Sequence, residues 1–327
     1  MQEKMSLTVA IPRGVSKSFE PEVLIVEWER WMDAQAAAGE MASNTAQTYK
    51  RGMAVFMAWL REHQAERVGP ALIRAWKADL LGAGRKPQGV NVLYAGVRCF
   101  FRWAVSDAGL AYDPTAGVKG ANRRGNAHMH KRDPLSDGEV LRVLAQPDTT
   151  TAEGKRDLAM LALLAYTGLR SVEVQRAKIG DLHTNGMVKL AVTGKGYADT
   201  SRDVMLVNTG LLDAMYSWLA VHPRGSDLGA PLFCGLGNRN QGGALTMATI
   251  RKLVKGHYRA AGVVDPRKTT HSLRHGFVTN AQRHKVSNTK IMAATGHTSE
   301  ATMGVYSHEL DREEDPAEGH IDYSNGK

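Results

Sequence analysis

Cysteine is nearly missing from this chain of 327 residues: Cys99 and Cys234 are the only two, too far apart in sequence for a CxxC redox pair or zinc unit. That excludes a disulfide framework and points to a reducing compartment. Aromatic residues make up only 6%, which favours helical packing by Leu, Ala, Val and Met over an aromatic-rich β-sandwich. No apolar run is long enough for a membrane-spanning helix, and the opening MQEKMSLTVAIPRG lacks a signal-peptide core. Internal repeats and low-complexity tracts are absent too, which removes the solenoid classes.

The signatures of nucleotide and metal chemistry are missing as well. Gly194-Lys195 suggests a phosphate loop, but that motif needs a glycine five residues earlier and a hydroxyl after the lysine. Those positions hold Lys189 and Gly196. His271 and His275 have the i, i+4 spacing of a zinc pair, yet Ser272 stands where a metalloprotease carries Glu. There is no GxSxG elbow and no acidic metal-binding cluster. No metal and no cofactor are expected, and a nuclease or an ATP-driven transposase lacks its parts.

What the chain does have is apolar content and positive charge. Hydrophobic residues at 43% and charged residues at 23% suit a globular protein of about two domains. Lys plus Arg outnumber Asp plus Glu by 42 to 33, a formal +9. The excess favours an anionic partner, of which nucleic acid is the commonest. The expectation is a cytoplasmic, nucleoid-associated protein with no membrane contact.

Residues 20–118 read as four helices. In SNTAQTYKRGMAVFMAWL the apolar positions Tyr49, Met53, Phe56, Met57 and Leu60 recur at three and four residues, with Ser43 or Asn44 as cap. A second stripe is Val90, Leu93, Tyr94, Val97, Phe101 and Ala104, entered through the breaker Pro87-Gln88-Gly89. ALIRAWKADLL and PEVLIVEWERWM supply two more helices. Together they predict a small all-α domain, with residues 1–19 as an N-terminal extension. From 119 to 133 the pattern stops and Lys119, Arg123, Arg124, Lys131 and Arg132 face a single Asp133. This segment is a solvated linker, a linker that also lies against phosphates, or both.

A second domain spans 134–310. Ser136 and Glu139 form a capping-box pattern. RDLAMLALLAYTG reads as an apolar helix ending at Gly168, and MVKLAVTGKGYADTSRDVMLV as a β-hairpin around the polar turn 194–203. Helical patterns resume with LLDAMYSWLAV and TMATIRKLVKGHYRAAG and continue through Thr302. The class is mainly α (α+β), with a small antiparallel sheet. The tail 311–327 is acidic, polar and unpatterned.

Cationic and imidazole side chains gather at the edges of these elements. Arg170 follows the Thr167-Gly168-Leu169 turn, with Glu173 placed to hold its guanidinium. Lys195 sits at the hairpin tip. His271 and Arg274 in THSLRHGFVTN share a helix face, His297 follows Gly296, and Tyr306 ends GHTSEATMGVY. Singly, each has an ordinary structural explanation. In combination the second domain resembles the tyrosine recombinases, also called phage integrases, through TGLRSVEV, VTGKG, HSLRHGFVT and TGHTSEATMGVYSH. Residues 20–115 resemble, more weakly, that family's SAM-like core-binding domain. Among the matches the hairpin lysine has rivals in Lys189 and Lys178. Relatives usually carry leucine before the Gly-His pair where this chain has Thr295, a difference expected to affect packing more than chemistry.

The resemblance implies site-specific recombination through a 3′-phosphotyrosyl intermediate and a Holliday junction. Tyr306 would be the nucleophile, Arg170, Arg274 and His297 the phosphate ligands, Lys195 the general acid and His271 the proton relay. The implied partner is double-stranded DNA, clamped between the two domains by a protein monomeric when free and tetrameric on DNA. The tail would pack between neighbours, and an accessory directionality protein is a further partner that the resemblance allows. Too few residues precede the first helix for an additional arm-binding domain. DNA-facing candidates in the first domain are Lys50, Lys86, Asn91 and Arg98, with Arg123, Arg124, Lys131 and Arg132 in the linker. The alternatives are type IB topoisomerase-like relaxation and a catalytically unused, integrase-derived DNA-binding protein.

Overall fold

The computed structural model describes residues 7–9, 17–122, 134–193, 201–300 and 303. The chain divides into two compact units, Met1–Gly125 and Asn126–Lys327. Among the described residues, no helix is long and apolar enough to cross a membrane.

Among its described residues the first unit holds four helices: α1 (Pro21–Ala37), α2 (Ser43–Glu62), α3 (Pro70–Gly82) and α4 (Pro87–Ser106). Proline opens three of them, where its missing N–H is one the helix would leave unpaired anyway. Pro87-Gln88-Gly89 is therefore the first turn of α4 and not a break before it. In α2 the cap position falls to Ala42, with Ser43 already inside the helix and no side-chain cap bond. Both apolar stripes face inward, Met53, Phe56, Met57 and Leu60 on α2 against Val90, Val97, Phe101 and Ala104 on α4.

The core of this unit is helical and mostly aliphatic, as expected, but it also gathers more aromatic rings than the 6% average suggests. Five of the six tryptophans belong to it: Trp28, Trp31, Trp59, Trp76 and Trp103. Phe56 meets Trp76 edge-on at 4.9 Å between centroids, and Trp28 meets Phe100 at 5.6 Å. A three-stranded sheet adds to the helices. In it, β1 (Leu7–Val9) pairs antiparallel with β2 (Lys17–Phe19) and parallel with β3 (Arg67–Val68). Strands of two or three residues carry no readable period, so the sequence pattern offers no sign of them.

The second unit contains α5 (Asp137–Leu144), α6 (Ala152–Thr167), α7 (Ser171–Arg176), α8 (Thr209–Leu219), α9 (Met247–Ala260), α10 (Thr270–Arg283) and α11 (Asn288–Thr295). Its antiparallel sheet runs β4 (Leu182–His183), β5 (Lys189–Thr193), β6 (Ser201–Met205). The Ser136–Glu139 capping box opens α5. Helix α6 is the centre: Ala159 to Leu164 are all buried, and the helix packs against α8 and α10. It stops at Gly168, whose φ of +63° is left-handed. β6 begins at Ser201, so Asp203, expected in the turn, lies within the strand. The helical pattern also breaks before Thr302: α11 ends at the left-handed Gly296 and residues 297–299 are non-helical.

Candidate active site

Three chain segments converge at the C-terminal end of α11. The first is the corner between α6 and α7. After the left-handed Gly168 the chain turns, and Arg170 takes the N-cap position of α7. Its backbone N–H donates to Glu173 Oε2 at 2.8 Å and its Nη1 to Oε1 at 3.0 Å. Its Nη2 reaches across to the Gly296 carbonyl at 2.9 Å.

The second segment is α10, which begins at Thr270 behind the Thr269 cap. Arg274 is buried there. Its Nη1 donates to the carbonyls of Gly168 and Thr295, each at 2.7 Å, and its Nη2 donates to His297 Nε2 at 2.8 Å. His271, half-buried, lies one turn earlier on the same helix. The third segment is the turn after α11. There His297 Nδ1 lies 2.8 Å from Thr295 Oγ1, whose hydroxyl donates to the Ile291 carbonyl at 2.6 Å. Both arginines thus grip neighbouring peptide carbonyls, Thr295 and Gly296, which brings their charges to one place.

Arg170 has its counter-charge in Glu173. Its side chain is only 1% exposed and also accepts from Arg202, Nη1 to Oε1 at 3.1 Å and Nη2 to Oε2 at 3.2 Å. Burial opposes ionisation of Glu173, but the bonds from Arg202 and the Arg170 backbone, with the charges of both arginines, outweigh it and lower its pKa. His297 responds oppositely. Burial first, then the charges of Arg274, Arg170 and Arg202, push its pKa down to about 4 against the weaker pull of Glu173. The imidazole is neutral at physiological pH.

Arg202 is the residue that sequence reasoning missed. It sits on β6, and its Nε also reaches the Ala294 carbonyl at 3.4 Å, so it ties the hairpin to the end of α11. A lone strand arginine gives no signal of this, because its partners lie 29 and 92 residues away. Thr295 is wholly buried, and its hydroxyl oxygen also lies 2.8 Å from the ring of His297, one of the candidate site residues.

Of the six residues singled out for chemistry, Arg274 and His297 are in direct contact, Arg170 holds the carbonyl next to the one that Arg274 holds, and His271 is one helical turn from Arg274. Lys195 lies outside the described residues, between the ends of β5 and β6. Tyr306 also lies outside them. The nearest described residue, Met303, is buried with Val278 and Ile291 of α10 and α11. Among the described residues, no group of three or more His, Cys, Asp or Glu could hold a metal ion.

The first-unit candidates separate by environment. Lys86 and Arg98 are exposed. Lys50 is bonded to Asp33 at 2.7 Å. Asn91 is bonded inward at both ends: its Oδ1 accepts from Ala121 N at 2.6 Å and its Nδ2 donates to Ala121 O at 3.0 Å, which holds the amide against the chain. Tyr94, bonded to Val118 O at 2.8 Å, and Lys77, bonded to Lys119 O, hold the same segment. Arg123, Arg124, Lys131 and Arg132 lie outside the described residues.

The family model described as "Phage integrase family" matches residues 135–313, and that of the phage integrase N-terminal SAM-like domain matches 29–108. Tyrosine recombinase XerD of Pseudomonas putida is 30% identical over 289 residues, 86% of this chain and 91% of that protein. Tyrosine recombinase XerC of Rhodospirillum centenum is 29% identical, covering 85% of this chain and 80% of that one. Among solved structures, XerH site-specific recombinase bound to its difH substrate after cleavage superposes with a TM-score of 0.67 at 21% identity, over 82% of this chain and 78% of that one. The lambda integrase tetramer on a Holliday junction gives 0.63 at 15% identity, over 85% and 77%.

Proposed function

The chain belongs to the phage integrase family, the tyrosine recombinases, and from that premise we propose that it cuts and rejoins DNA at specific sites with Tyr306 as nucleophile. The observation that carries the reading is the convergence of Arg170, Arg274 and His297 on the end of α11, which gathers two guanidinium charges beside one imidazole.

The chemistry follows from charge. Attack of the Tyr306 phenolic oxygen on the scissile phosphorus forms a phosphotyrosyl ester at the 3′ end and breaks the bond to the 5′ oxygen. The phenol proton passes to His271, and Lys195 protonates the departing 5′ oxygen, leaving a hydroxyl. A phenol of pKa near 10 is a good leaving group on reversal. Negative charge on the non-bridging oxygens is met by Arg170 and Arg274, whose planar forks stay charged. Their positions are fixed beforehand by Glu173 and the carbonyls they grip, so little reorganisation is needed as charge develops. The phosphotyrosyl bond retains the energy of the broken diester. Rejoining to the 5′-hydroxyl of a partner duplex therefore needs no nucleotide hydrolysis and yields exchanged strands through a Holliday junction.

Four protomers on paired sites would carry out two such exchanges, a reading supported by the tetrameric junction complex of lambda integrase. The acidic tail 311–327 would pack between neighbours, and the reaction would integrate, excise or resolve a DNA element in the cytoplasm, with direction set by an accessory protein. The exposed Lys86 and Arg98, with the linker cations Arg123, Arg124, Lys131 and Arg132, are the proposed phosphate contacts. The relatives' names support recombination over supercoil relaxation or a purely DNA-binding role. Tyr306→Phe is expected to bind and synapse DNA yet form no denaturant-stable adduct with a nicked suicide substrate. An adduct persisting in that variant removes Tyr306 from its role.

A further inference from the structure

The bonding around His297 defines which of its nitrogens carries the proton. Thr295 Oγ1 lies 2.6 Å from the Ile291 carbonyl and 2.8 Å from His297 Nδ1. A threonine hydroxyl has one proton, and a carbonyl can only accept, so that proton goes to Ile291. The oxygen is left to accept from the ring, and Nδ1 must bring the hydrogen. On the other side, Arg274 Nη2 stands 2.8 Å from Nε2. A guanidinium only donates, so Nε2 must present its lone pair. Constraints on opposite nitrogens, imposed by different chain segments, select one and the same neutral tautomer. The charged groups facing the ring do not compete with it: Arg274 from α10, Arg170 from α7 and Arg202 from β6 are cations that disfavour a second ring proton, and only Glu173 favours one.

We infer that Thr295 is a positioning residue: its hydroxyl locks His297 in the Nδ1–H tautomer and aims Nε2 at Arg274, so that the histidine orients the guanidinium that meets the phosphate. Thr295 is wholly buried. Replacing its hydroxyl by a methyl would leave a ring N–H facing carbon, a buried donor without a partner. The kinetic part of this inference rests on the recombinase reading above.

The test compares the protein with Thr295→Val, which matches the side chain in size, and Thr295→Ser, which keeps the hydroxyl. Nitrogen-15 NMR of histidine-labelled protein at neutral pH, without DNA, is expected to show His297 protonated at Nδ1 and bare at Nε2. Thr295→Ser is expected to keep that signature and Thr295→Val to lose it. With a nicked suicide substrate, Thr295→Val is expected to slow adduct formation on the order of tenfold while DNA affinity stays within about twofold, and Thr295→Ser to restore the rate. A wild-type His297 protonated at Nε2 overturns the inference, as does a Thr295→Val protein with an unchanged spectrum or an unchanged rate. Should the wild-type protein itself form no adduct, the recombinase reading fails while the spectra still decide the tautomer.

Discussion

Glu173 shows how one carboxylate can organise a site made of cations. It is the shared acceptor for Arg170 and Arg202, and without it two partly exposed guanidinium groups would lose their common counter-charge. Its pKa is lowered from the ordinary 4.5. A depressed carboxyl contributes stability that is fully present above its unfolded value and is lost as pH falls through the folded value. The melting temperature of the wild-type protein is therefore expected to drop more steeply on acidification below about pH 4.5 than that of Glu173→Gln. At neutral pH the same variant should be less stable by roughly 1–3 kcal/mol, below the range for a fully buried pair because both arginine heads reach solvent. Thermal melts across pH check both. Glu173 was legible in the sequence because it lies one helical turn from its partner. Arg202 was not, because nothing local marks a strand arginine whose acceptors come from other segments.

At the scale of elements, the contact between α2 and α4 depends on two glycines. A Cβ on Gly96 would press into the backbone carbonyl of Tyr49, and one on Gly52 into that of Leu93. The two sites are reciprocal, so the helices meet backbone against backbone. Gly96→Ala sets two effects against each other. Alanine favours the helix itself by about 1 kcal/mol, but the new methyl meets main chain, which cannot swing aside as a side chain would. Overpacking of this kind costs about 1–3 kcal/mol, so a net loss of stability is expected, read as a lower denaturant midpoint. Gly168 is constrained differently, by its left-handed φ and by Phe277, whose Cδ1 would lie 2.6 Å from an added Cβ. The apolar stripes of α2, α4 and α6 were visible in advance because each spans several turns of a 3.6-residue period. The strands β1 to β4 are too short for any period, and the break at Gly296 interrupts a pattern that reads as continuous helix.

For the molecule as a whole, the formal charge of +9 and the proposed phosphate contacts make DNA affinity a function of salt. If six to ten phosphates are neutralised, affinity should fall roughly 10³ to 10⁵-fold between 50 and 200 mM salt through counterion release. Fluorescence anisotropy with a labelled duplex, repeated across salt, gives the slope. A slope near zero would mean that the positive charge is not what holds the duplex. The composition points to an anionic partner, but an average over 327 residues hides tryptophans concentrated in one unit.

The order and type of the long helices, the hairpin, the capping box and the spacing of Arg170, His271, Arg274, His297 and Tyr306 are properties of the chain alone. Each is set by neighbours within a turn or two, or by a motif whose spacing survives without coordinates. Tertiary structure decided the rest: that Glu173 serves two arginines, that Arg202 ties the hairpin to α11, that Asn91 is bonded to Ala121, and that Thr295 addresses the histidine two residues on. Hydrogen-bond roles depend on distances of under 4 Å between segments far apart in sequence, and on how many protons each group has left to give. Those quantities exist only once the chain has folded.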